Sequence, residues 1–364
     1  MQFIIKFFPE IIIKSKAVRK QMARRLKDNL YTLLRPLDGD IRIINQWDKM
    51  TIETSLTDPQ AIAALKDVLA RTPGIAHFLQ VESWAFETFE DICQIALREC
   101  RARLENKSFV LRCKRTGNHP FNSFDLERQV GGFLFQNIES ARVDLHKPDV
   151  TLLMVLHGDT LYIVNDRVEG LGGFPIGEVE PVLSLISGGF DSPVASYLMM
   201  KRGMATHYLF FNLGGREHEL GVKEVAYHLW QRYGASHRVK FVTVSFEAVV
   251  AEILEKVDNA QMGVILKRMM LRAAEQVAKK LDIQALVTGE AVAQVASQTI
   301  TNLAVIDEVS DMLVLRPLIA MDKGDIVNLA RKIGTEISAA NMPEYCGVIS
   351  VKPTTRAKLY RVEF

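Results

Sequence analysis

The feature that most constrains the fold of this chain is the segment SGGFDSP at residues 187–193. It follows the apolar segment 182–186, which we expect to form a strand, and Pro193 suits the first position of a helix. A strand, a glycine-containing loop and a helix in this order direct backbone N–H groups and the positive end of the helix dipole towards phosphate oxygens. The segment therefore predicts a phosphate-binding loop. The alternative is a plain glycine turn in which Asp191 or Ser192 caps the helix.

Two other phosphate-binding patterns are absent from the sequence. It contains neither GxxxxGK[ST] nor a GxGxxG placed after a strand, which argues against a Walker-type ATPase and a dinucleotide site. Short apolar segments alternate with helical ones around the loop. The expected strands are 182–186, 207–212, 241–244 and 285–288, and the expected helices are 193–202, 219–234, 262–281 and 322–333. This alternation predicts an α/β parallel sheet covered by helices on both faces.

The first half of the chain has a different pattern. Residues 3–81 predict the order β-α-β-β-α-β of a ferredoxin-like unit, with a long helix ending near Leu34. A second α+β unit begins near Phe86, with helices at 88–106 and 123–139. The segment 169–177 contains four glycines and a proline and is the best linker candidate.

Charge and cysteine content limit the function classes further. The net charge is only +2, but residues 1–50 and 101–115 have a clear excess of lysine and arginine, which favours an anion-binding face. The four cysteines include no CxxC pair, so a zinc ribbon is disfavoured, and scattered thiols favour a reducing compartment. Because no apolar run reaches the ~18–20 residues of a membrane helix, we expect a cytoplasmic protein without membrane association.

The pattern SGGxDS resembles the signature of the PP-loop ATP pyrophosphatases, which cleave ATP between its α- and β-phosphates and adenylate a carbonyl oxygen. Further segments resemble the tRNA uracil 4-sulfurtransferase (ThiI) family. They are FPEIIIKSK (8–16), GLGGFPIG (170–177), LSLISGGFDS (183–192), FFNLGG (210–215), MGVILKRMM (262–270), TGEA (288–291) and MPEYCGVIS (342–350). The resemblance covers the whole chain. It implies a ferredoxin-like domain (1–80), a THUMP RNA-binding domain (81–168), a linker (169–177) and a PP-loop domain (178–364).

Matched positions imply individual roles. The nucleotide-binding residues implied are Leu185, Ile186, Ser187, Gly188, Gly189, Ser192, Phe210, Phe211, Lys267, Gly289 and Gln298. The catalytic residues implied are Asp191, which is suited to hold Mg²⁺ or to polarise the attacking group, and Cys346, which handles sulfur. No protein-bound metal is implied beyond the Mg²⁺ that accompanies ATP. Without the resemblance, Lys267 is an exposed basic break in an apolar helix, and one of the two adjacent phenylalanines is expected in the core.

The expected RNA contacts come from the two basic segments. They are Lys14, Arg19, Arg24, Arg112, Lys114 and Arg115. Such side chains contact phosphates and RNA shape more than base sequence. For each residue taken alone, a solubilising charged surface is a serious alternative.

Together these features imply ATP-dependent sulfur transfer to tRNA. O4 of the uridine at position 8 is adenylated and then replaced by persulfide-derived sulfur supplied through a cysteine desulfurase, giving 4-thiouridine. The resemblance also implies sulfur transfer for the thiazole of thiamine. Two alternatives stay open, namely a PP-loop enzyme acting on a small molecule and a non-catalytic tRNA-binding protein. A homodimer is also open.

The end of the sequence raises one further expectation. Family members with the PEYCG segment typically continue into a rhodanese-like domain whose cysteine carries the persulfide, whereas this sequence ends 18 residues after Cys346. We therefore expect this chain to adenylate tRNA but not to turn over many times with a physiological sulfur donor. On this expectation it is either a fragment or is completed by a separate rhodanese-like protein. The alternatives are that Cys346 itself carries the persulfide or that free sulfide substitutes.

Overall fold

The computed structural model describes residues 1–341 and 349–362, and the chain forms two compact units. The first, which we call the eight-stranded unit, comprises Met1–Phe7, Leu34–Ala70 and Ile75–Gly170. The second, the five-stranded unit, comprises Phe8–Leu33, Arg71–Gly74 and Leu171–Phe364.

Strands and helices alternate along most of the chain. In chain order they are β1 (Gln2–Phe7), α1 (Pro9–Ile12), α2 (Lys16–Leu34), β2 (Arg42–Asn45), β3 (Lys49–Glu53), α3 (Pro59–Arg71), β4 (Ile75–Ala85), α4 (Phe89–Leu104), β5 (Ser108–Thr116), α5 (Ser123–Asn137), β6 (Arg142–Val143), β7 (Val150–His157), β8 (Thr160–Glu169), β9 (Val179–Leu185), α6 (Asp191–Lys201), β10 (Met204–Asn212), α7 (Gly215–Leu229), β11 (Phe241–Ser245), α8 (Glu247–Lys256), α9 (Met262–Leu281), β12 (Ala285–Val287), α10 (Ile300–Asp307), β13 (Leu313–Leu315), α11 (Lys323–Ile333) and α12 (Glu336–Asn341).

The eight-stranded unit is built on one continuous sheet in the order β2-β3-β1-β4-β8-β7-β5-β6. Its first four strands pair antiparallel in the ferredoxin-like order, as the sequence predicts. The strand expected to end at Val81 continues to Ala85, and these extra residues pair with β8. Residue 80, where the sequence suggests a domain boundary, therefore lies inside a strand that joins the two halves of the sheet.

Helices α4 and α5 cover the second half of this sheet, and both begin with a reciprocal capping box. Thr88 pairs with Asp91 at one N-terminus, and Asn122 pairs with Asp125 at the other. Each box satisfies backbone N–H groups that otherwise lack partners at a helix start.

Three cysteines, two on α4 and one on β5, lie in the core of this unit. They are Cys93, Cys100 and Cys113. Burial raises the pKa of the first two thiols to about 11 and that of Cys113 to about 12. Since the thiolate is the reactive form, these residues are packing elements, as the sequence pattern indicates.

The five-stranded unit contains a fully parallel sheet in the order β11-β10-β9-β12-β13. Side chains of β10 alternate between two buried clusters, with Tyr208 and Phe210 on one face and Leu209 and Phe211 on the other. This alternation arises because successive side chains of a strand point to opposite faces. The predicted parallel sheet with helices on both faces is confirmed.

Several local predictions for this unit were wrong. Helix α6 begins at Asp191, so Pro193 is its third residue and not its first. The first turn tolerates proline anywhere because its N–H groups have no intrahelical acceptor. Strand β13 and helices α8 and α10 were not predicted, because their short segments lack a clear periodicity.

Helix α2 runs close to its predicted bounds, but its residues up to Leu33 group with the five-stranded unit. Within that unit, the Asn29 side-chain amide donates a 3.0 Å hydrogen bond to the carbonyl of Ile176. Among the residues that the structure describes, no helix has both the length and the apolar composition that crossing a membrane requires.

Candidate functional site

A cavity of about 240 Å³ opens at the carboxyl ends of β9, β10 and β12. This edge is where open parallel sheets bind ligands. The cavity wall includes every nucleotide-binding residue expected from the sequence, together with Asp191. These are Leu185, Ile186, Ser187, Gly188, Gly189, Asp191, Ser192, Phe210, Phe211, Lys267, Gly289 and Gln298. Residues from separated segments of the chain thus meet in one place.

The hydroxyl of Ser192 holds the loop between β9 and α6 in shape. It accepts a 2.8 Å hydrogen bond from the backbone N–H of Ser187 and lies 2.9 Å from that residue's own hydroxyl. The Ser196 hydroxyl donates to the carbonyl of Ser192 at 2.8 Å and secures the first turn of the helix. The loop is therefore pre-organised, with the start of α6 facing the cavity, which suits a bound phosphate.

Gly289 allows the chain after β12 to lie directly against the start of α6. A Cβ atom at this position would be 2.7 Å from the backbone nitrogen of Ser192 and 2.8 Å from the carbonyl carbon of Asp191. Backbone atoms cannot move aside as a flexible side chain can. The glycine therefore sets the distance between the β12 end and the phosphate loop.

We expect Gly289→Ala to lower stability by about 2 kcal/mol, because overpacking forces a backbone shift. The same shift displaces the loop and should weaken binding of the ATP that the family resemblance implies. Thermal denaturation and ATP titration measure the two effects. Gly263→Ala is the matched control, since a Cβ there meets no atom of a described residue within 4 Å apart from its chain neighbours and the backbone of its own helix. Equal melting temperatures for the two variants would contradict this role of Gly289.

Lys267 belongs to a buried ion-pair network that the sequence did not reveal. Its Nζ lies 2.8 Å from Oε1 of Glu290, and Nε of Arg316 lies 2.8 Å from the other carboxylate oxygen. Arg316 also pairs with Asp307. Lys267 is half-buried at the cavity wall, whereas its place in an apolar helix suggested an exposed side chain.

Glu290 is ionised in spite of its surroundings. Burial opposes its ionisation, but the charges and hydrogen bonds of Lys267 and Arg316 outweigh it and lower the pKa of the carboxyl below 4.5. Glu290 follows Gly289 in the TGEA segment, and this position is the sequence feature that could have identified it as a site residue. Its effect is to hold the Lys267 ammonium against the cavity.

The Asp191 carboxylate is held by two side chains from distant segments. Nζ of Lys323 lies 2.7 Å from one oxygen, and the Gln294 amide donates a 2.9 Å hydrogen bond to the other. Neither partner was identified from the sequence, and no local pattern around Lys323 indicates it. No group of three or more acidic, histidine or cysteine side chains suited to a metal occurs in residues 1–341 and 349–362.

The cavity wall also includes apolar side chains and a buried acceptor, Oε1 of Gln298. Met270, Leu271 and Ile306 contribute to its wall. Gln298 is 7% exposed, and its Oε1 has no hydrogen-bond partner in the described part of the chain. A buried acceptor without a partner is unfavourable unless a ligand supplies a donor.

The two adjacent phenylalanines of β10 are both buried and both line the cavity. Phe210 is 1% and Phe211 7% exposed, and they belong to the cores on opposite faces of the sheet. The His218 ring lies 4.9 Å from that of Phe210, in an edge-to-face arrangement. Each of these residues therefore both packs in the core and lines the cavity.

The predicted RNA-binding residues fall into both units. Lys14, Arg19 and Arg24 belong to the five-stranded unit, and the other three lie on β5 in the eight-stranded unit.

The three basic side chains of β5 differ in their ion-pair and hydrogen-bond partners. Arg112 lies 3.5 Å from Glu127, while Lys114 is exposed. Arg115 donates a 2.9 Å hydrogen bond to the carbonyl of Gly117 and points to the other face of the strand, because side chains alternate. The cluster seen in the sequence is therefore divided between two faces. Cys346 lies outside the described residues.

Three family models match consecutive segments of the chain. They are the ThiI ferredoxin-like domain over residues 2–78, the THUMP domain over 86–166, and "Thiamine biosynthesis protein (ThiI)" over 177–364. The tRNA sulfurtransferase of Shewanella amazonensis is 56% identical over 363 residues, which cover 100% of this chain and 75% of that protein. The tRNA sulfurtransferase of Shewanella sp. strain W3-18-1 is 55% identical with the same coverage.

Solved structures agree with these matches. A 4-thiouridine synthetase crystallised in complex with RNA and with ATP bound is similar at a TM-score of 0.84 and 27% identity, covering 99% of this chain and 92% of that one. PH1313 from Pyrococcus horikoshii is similar at a TM-score of 0.69 and 19% identity, covering 92% of this chain and 100% of that one, which supports the fold alone.

Proposed function

Because the chain belongs to the ThiI family of tRNA sulfurtransferases, we propose that its cavity binds ATP and uses it to activate a tRNA uridine for replacement of oxygen by sulfur. The observation that carries this proposal is the convergence of the phosphate loop, Lys267 and Gln298 on one cavity. The chain is a tRNA sulfurtransferase, and tRNA and ATP are its substrates.

The cavity lining offers suitable contacts for both the base and the phosphates of ATP. The unpaired Gln298 Oε1 can accept a hydrogen bond from the adenine amino group, and the apolar wall can pack against the purine ring. Backbone N–H groups of the Ser187–Ser192 loop and the Lys267 ammonium can bind the phosphates.

The site suits a magnesium ion that binds together with the ATP phosphates, and not one that the protein holds by itself. Mg²⁺ is commonly held by one or two carboxylates together with substrate phosphates, and Asp191 supplies one partly exposed carboxylate at the cavity. When bound, the ion supplies charge neutralisation at the phosphates. Lys323 then has phosphate oxygens as alternative acceptors.

The proposed reaction begins with attack of uridine O4, at tRNA position 8, on the α-phosphorus of ATP. Pyrophosphate leaves, and Lys267 and the start of α6 stabilise the negative charge on the phosphates as the bond breaks. The uridine oxygen becomes part of an adenylate, which makes it a good leaving group.

The sulfur step replaces this leaving group. A persulfide sulfur, provided through a cysteine desulfurase, attacks C4, and AMP departs with the former O4. The Cys346 thiolate then attacks the sulfur of the donor, which leaves one sulfur on C4 and forms a disulfide that a thiol reductant must reopen. A separate rhodanese-like carrier between desulfurase and chain, a homodimer, and sulfur transfer to the thiazole of thiamine are further proposals.

We expect Cys346→Ala to retain tRNA-dependent pyrophosphate release and to form no 4-thiouridine over repeated turnovers. The adenylation step needs no thiol, whereas release of the donor does. Pyrophosphate release and the absorbance of 4-thiouridine measure the two steps in one mixture. Cys93→Ala is the control for loss of a thiol. Normal 4-thiouridine formation in the Cys346 variant would assign the sulfur chemistry to another group.

We expect charge reversal at Arg112, Lys114 and Arg115 to weaken tRNA binding and to flatten its salt dependence. Each lost phosphate contact removes about 0.7–0.9 from the slope of log affinity against log salt. Filter binding at several salt concentrations measures the slope, and ATP titration should give an unchanged affinity. Arg98→Glu on α4, whose arginine pairs with the neighbouring Glu99, is the matched control. A slope equal to that of the unmodified protein would show that these three residues are solvated and do not contact tRNA phosphates.

A pyrophosphate-release assay with and without tRNA tests the proposed function. Release that requires unmodified tRNA supports it. Equal release without RNA favours a PP-loop enzyme with a small-molecule substrate. Absence of release together with intact tRNA binding favours a non-catalytic RNA-binding protein.

A further inference from the structure

The five-stranded unit contains a second cavity, of about 450 Å³, and no described residue lines both it and the first. Helix α7, the edge strand β11 and strand β10 form its wall. The lining residues that could contact a ligand are Tyr208, Lys223, Tyr227, Trp230, Arg238 and Phe241. A volume of this size lies in the range of about 300–1,000 Å³ typical of small-molecule pockets.

One face of a helix supplies the aromatic side of this cavity. Lys223, Tyr227 and Trp230 are spaced four and three residues apart, which places them along a single face. The helix changes at Trp230 into a π-helical turn, Trp230–Gly234, a geometry that is frequent at functional sites. The Trp230 indole N–H donates a 2.8 Å hydrogen bond to the carbonyl of His237, which fixes the ring.

Tyr208 lines this cavity and has a buried hydroxyl that lacks a partner among the described residues. Tyr208 is 1% exposed, and its hydroxyl makes no hydrogen bond to any described residue. Burial raises the pKa of this phenol, so the hydroxyl stays neutral and can donate. Leaving such a group unpaired is unfavourable, and a ligand with an acceptor atom removes the penalty.

The charge of the cavity wall is positive. Lys223 and Arg238 both line it, and no carboxylate of a described residue does. Lys223 also pairs with Glu219, but Arg238 has no acidic partner in residues 1–341 and 349–362. A cation is therefore a poor ligand, and an anion with a planar apolar part suits both the charge and the rings.

We propose that this second cavity binds one nucleotide unit. The base stacks on the aromatic rings of Tyr227 and Trp230, a base edge atom accepts a hydrogen bond from the Tyr208 hydroxyl, and the phosphate pairs with Arg238 and Lys223. Aromatic rings beside basic groups are the recurring solution for single-stranded nucleic acid. The nucleotide comes either from the RNA substrate or from the free pool, and the two sources share this chemistry.

Two variants isolate the proposed contacts. Tyr208→Phe removes only an oxygen that bonds to no described residue, so the melting temperature should not fall. Arg238→Gln alters an exposed side chain and cannot disturb the core. Tyr197→Phe, at another buried tyrosine, and Arg272→Gln, at another exposed arginine of this unit, are the matched controls, since neither lines either of these two cavities.

The free-nucleotide arm titrates uridine monophosphate into the full chain by calorimetry, with the first cavity saturated by a non-hydrolysable ATP analogue. We expect binding, weakened about tenfold by each site variant and unchanged in the controls. The RNA arm irradiates a complex with tRNA that contains 5-iodouridine, and we expect crosslinks to map to residues 223–241.

Crosslinks without binding of the free nucleotide assign the cavity to RNA, and binding without crosslinks assigns it to a free nucleotide. Neither crosslinks in 223–241 nor binding of uridine monophosphate, or binding unchanged in both site variants, overturns the proposal. Since tRNA-dependent pyrophosphate release is measured separately, failure of this proposal is distinguishable from failure of the proposed function.

Discussion

Asp191→Ala is expected to lower tRNA-dependent pyrophosphate release about a thousandfold, the loss typical of removing a preorganised electrostatic group from a reaction centre. The carboxylate belongs to the first residue of α6, within the phosphate loop. It pairs with Lys323 and accepts a hydrogen bond from Gln294. Without it, the proposed Mg²⁺ loses its protein ligand and the Lys323 ammonium loses its fixed position. Single-turnover release of pyrophosphate at saturating ATP and tRNA is the measurement.

The same variant should bind tRNA within a few-fold of the unmodified protein, because Asp191 is not among the expected RNA contacts, which lie on β5 and at Lys14, Arg19 and Arg24. Asp325→Ala is the control, since it removes an exposed carboxylate from helix α11, which also carries Lys323. Normal pyrophosphate release by the Asp191 variant would contradict the assignment of the loop as the site that binds the ATP phosphates.

Glu290→Gln is expected to lower the free energy of unfolding by about 3 kcal/mol, because breaking a buried ion pair leaves its partners uncompensated. Its partners are Lys267 and Arg316, whose nitrogens lie 2.8 Å from its two oxygens. The amide keeps the shape of the side chain and removes only its charge. Denaturant unfolding followed by circular dichroism measures the loss. ATP affinity should fall as well, because the Lys267 ammonium is no longer held at the cavity.

The stability difference should depend on pH in a fixed direction. Since the folded-state pKa of Glu290 is lowered below 4.5, its contribution is complete at pH values above 4.5 and is lost as the pH falls through the folded-state pKa. The unmodified protein and the variant should therefore converge in acid. Glu252→Gln, at an exposed pair with Lys256, is the control, and its stability should stay close to that of the unmodified protein because solvent screens exposed pairs. A constant difference at all pH values would show that the effect of Glu290→Gln does not come from its charge.

The sequence alone determined most of the local structure and the location of the site. Apolar strands that alternate with helices predicted the parallel sheet, and helix α9 has the bounds that its periodicity indicated, 262–281. The SGGFDS loop could be placed because glycines between an apolar strand and a helix have a local meaning that does not depend on distant contacts. Helices α4 and α5 begin at Phe89 and Ser123, within one residue of the predicted starts at 88 and 123.

Only the tertiary structure decided which distant segments meet. The pairing of β4 with β8 merges two predicted units into one sheet, and nothing local to either strand specifies that partner. Lys323 reaches Asp191 from 132 residues away, and Arg316 reaches Glu290 from 26. Such contacts depend on strand order and on how the helices pack. The local sequence pattern of one element is compatible with many such arrangements. Periodicity describes how one element folds, whereas the charge network around the cavity exists only once the elements are assembled.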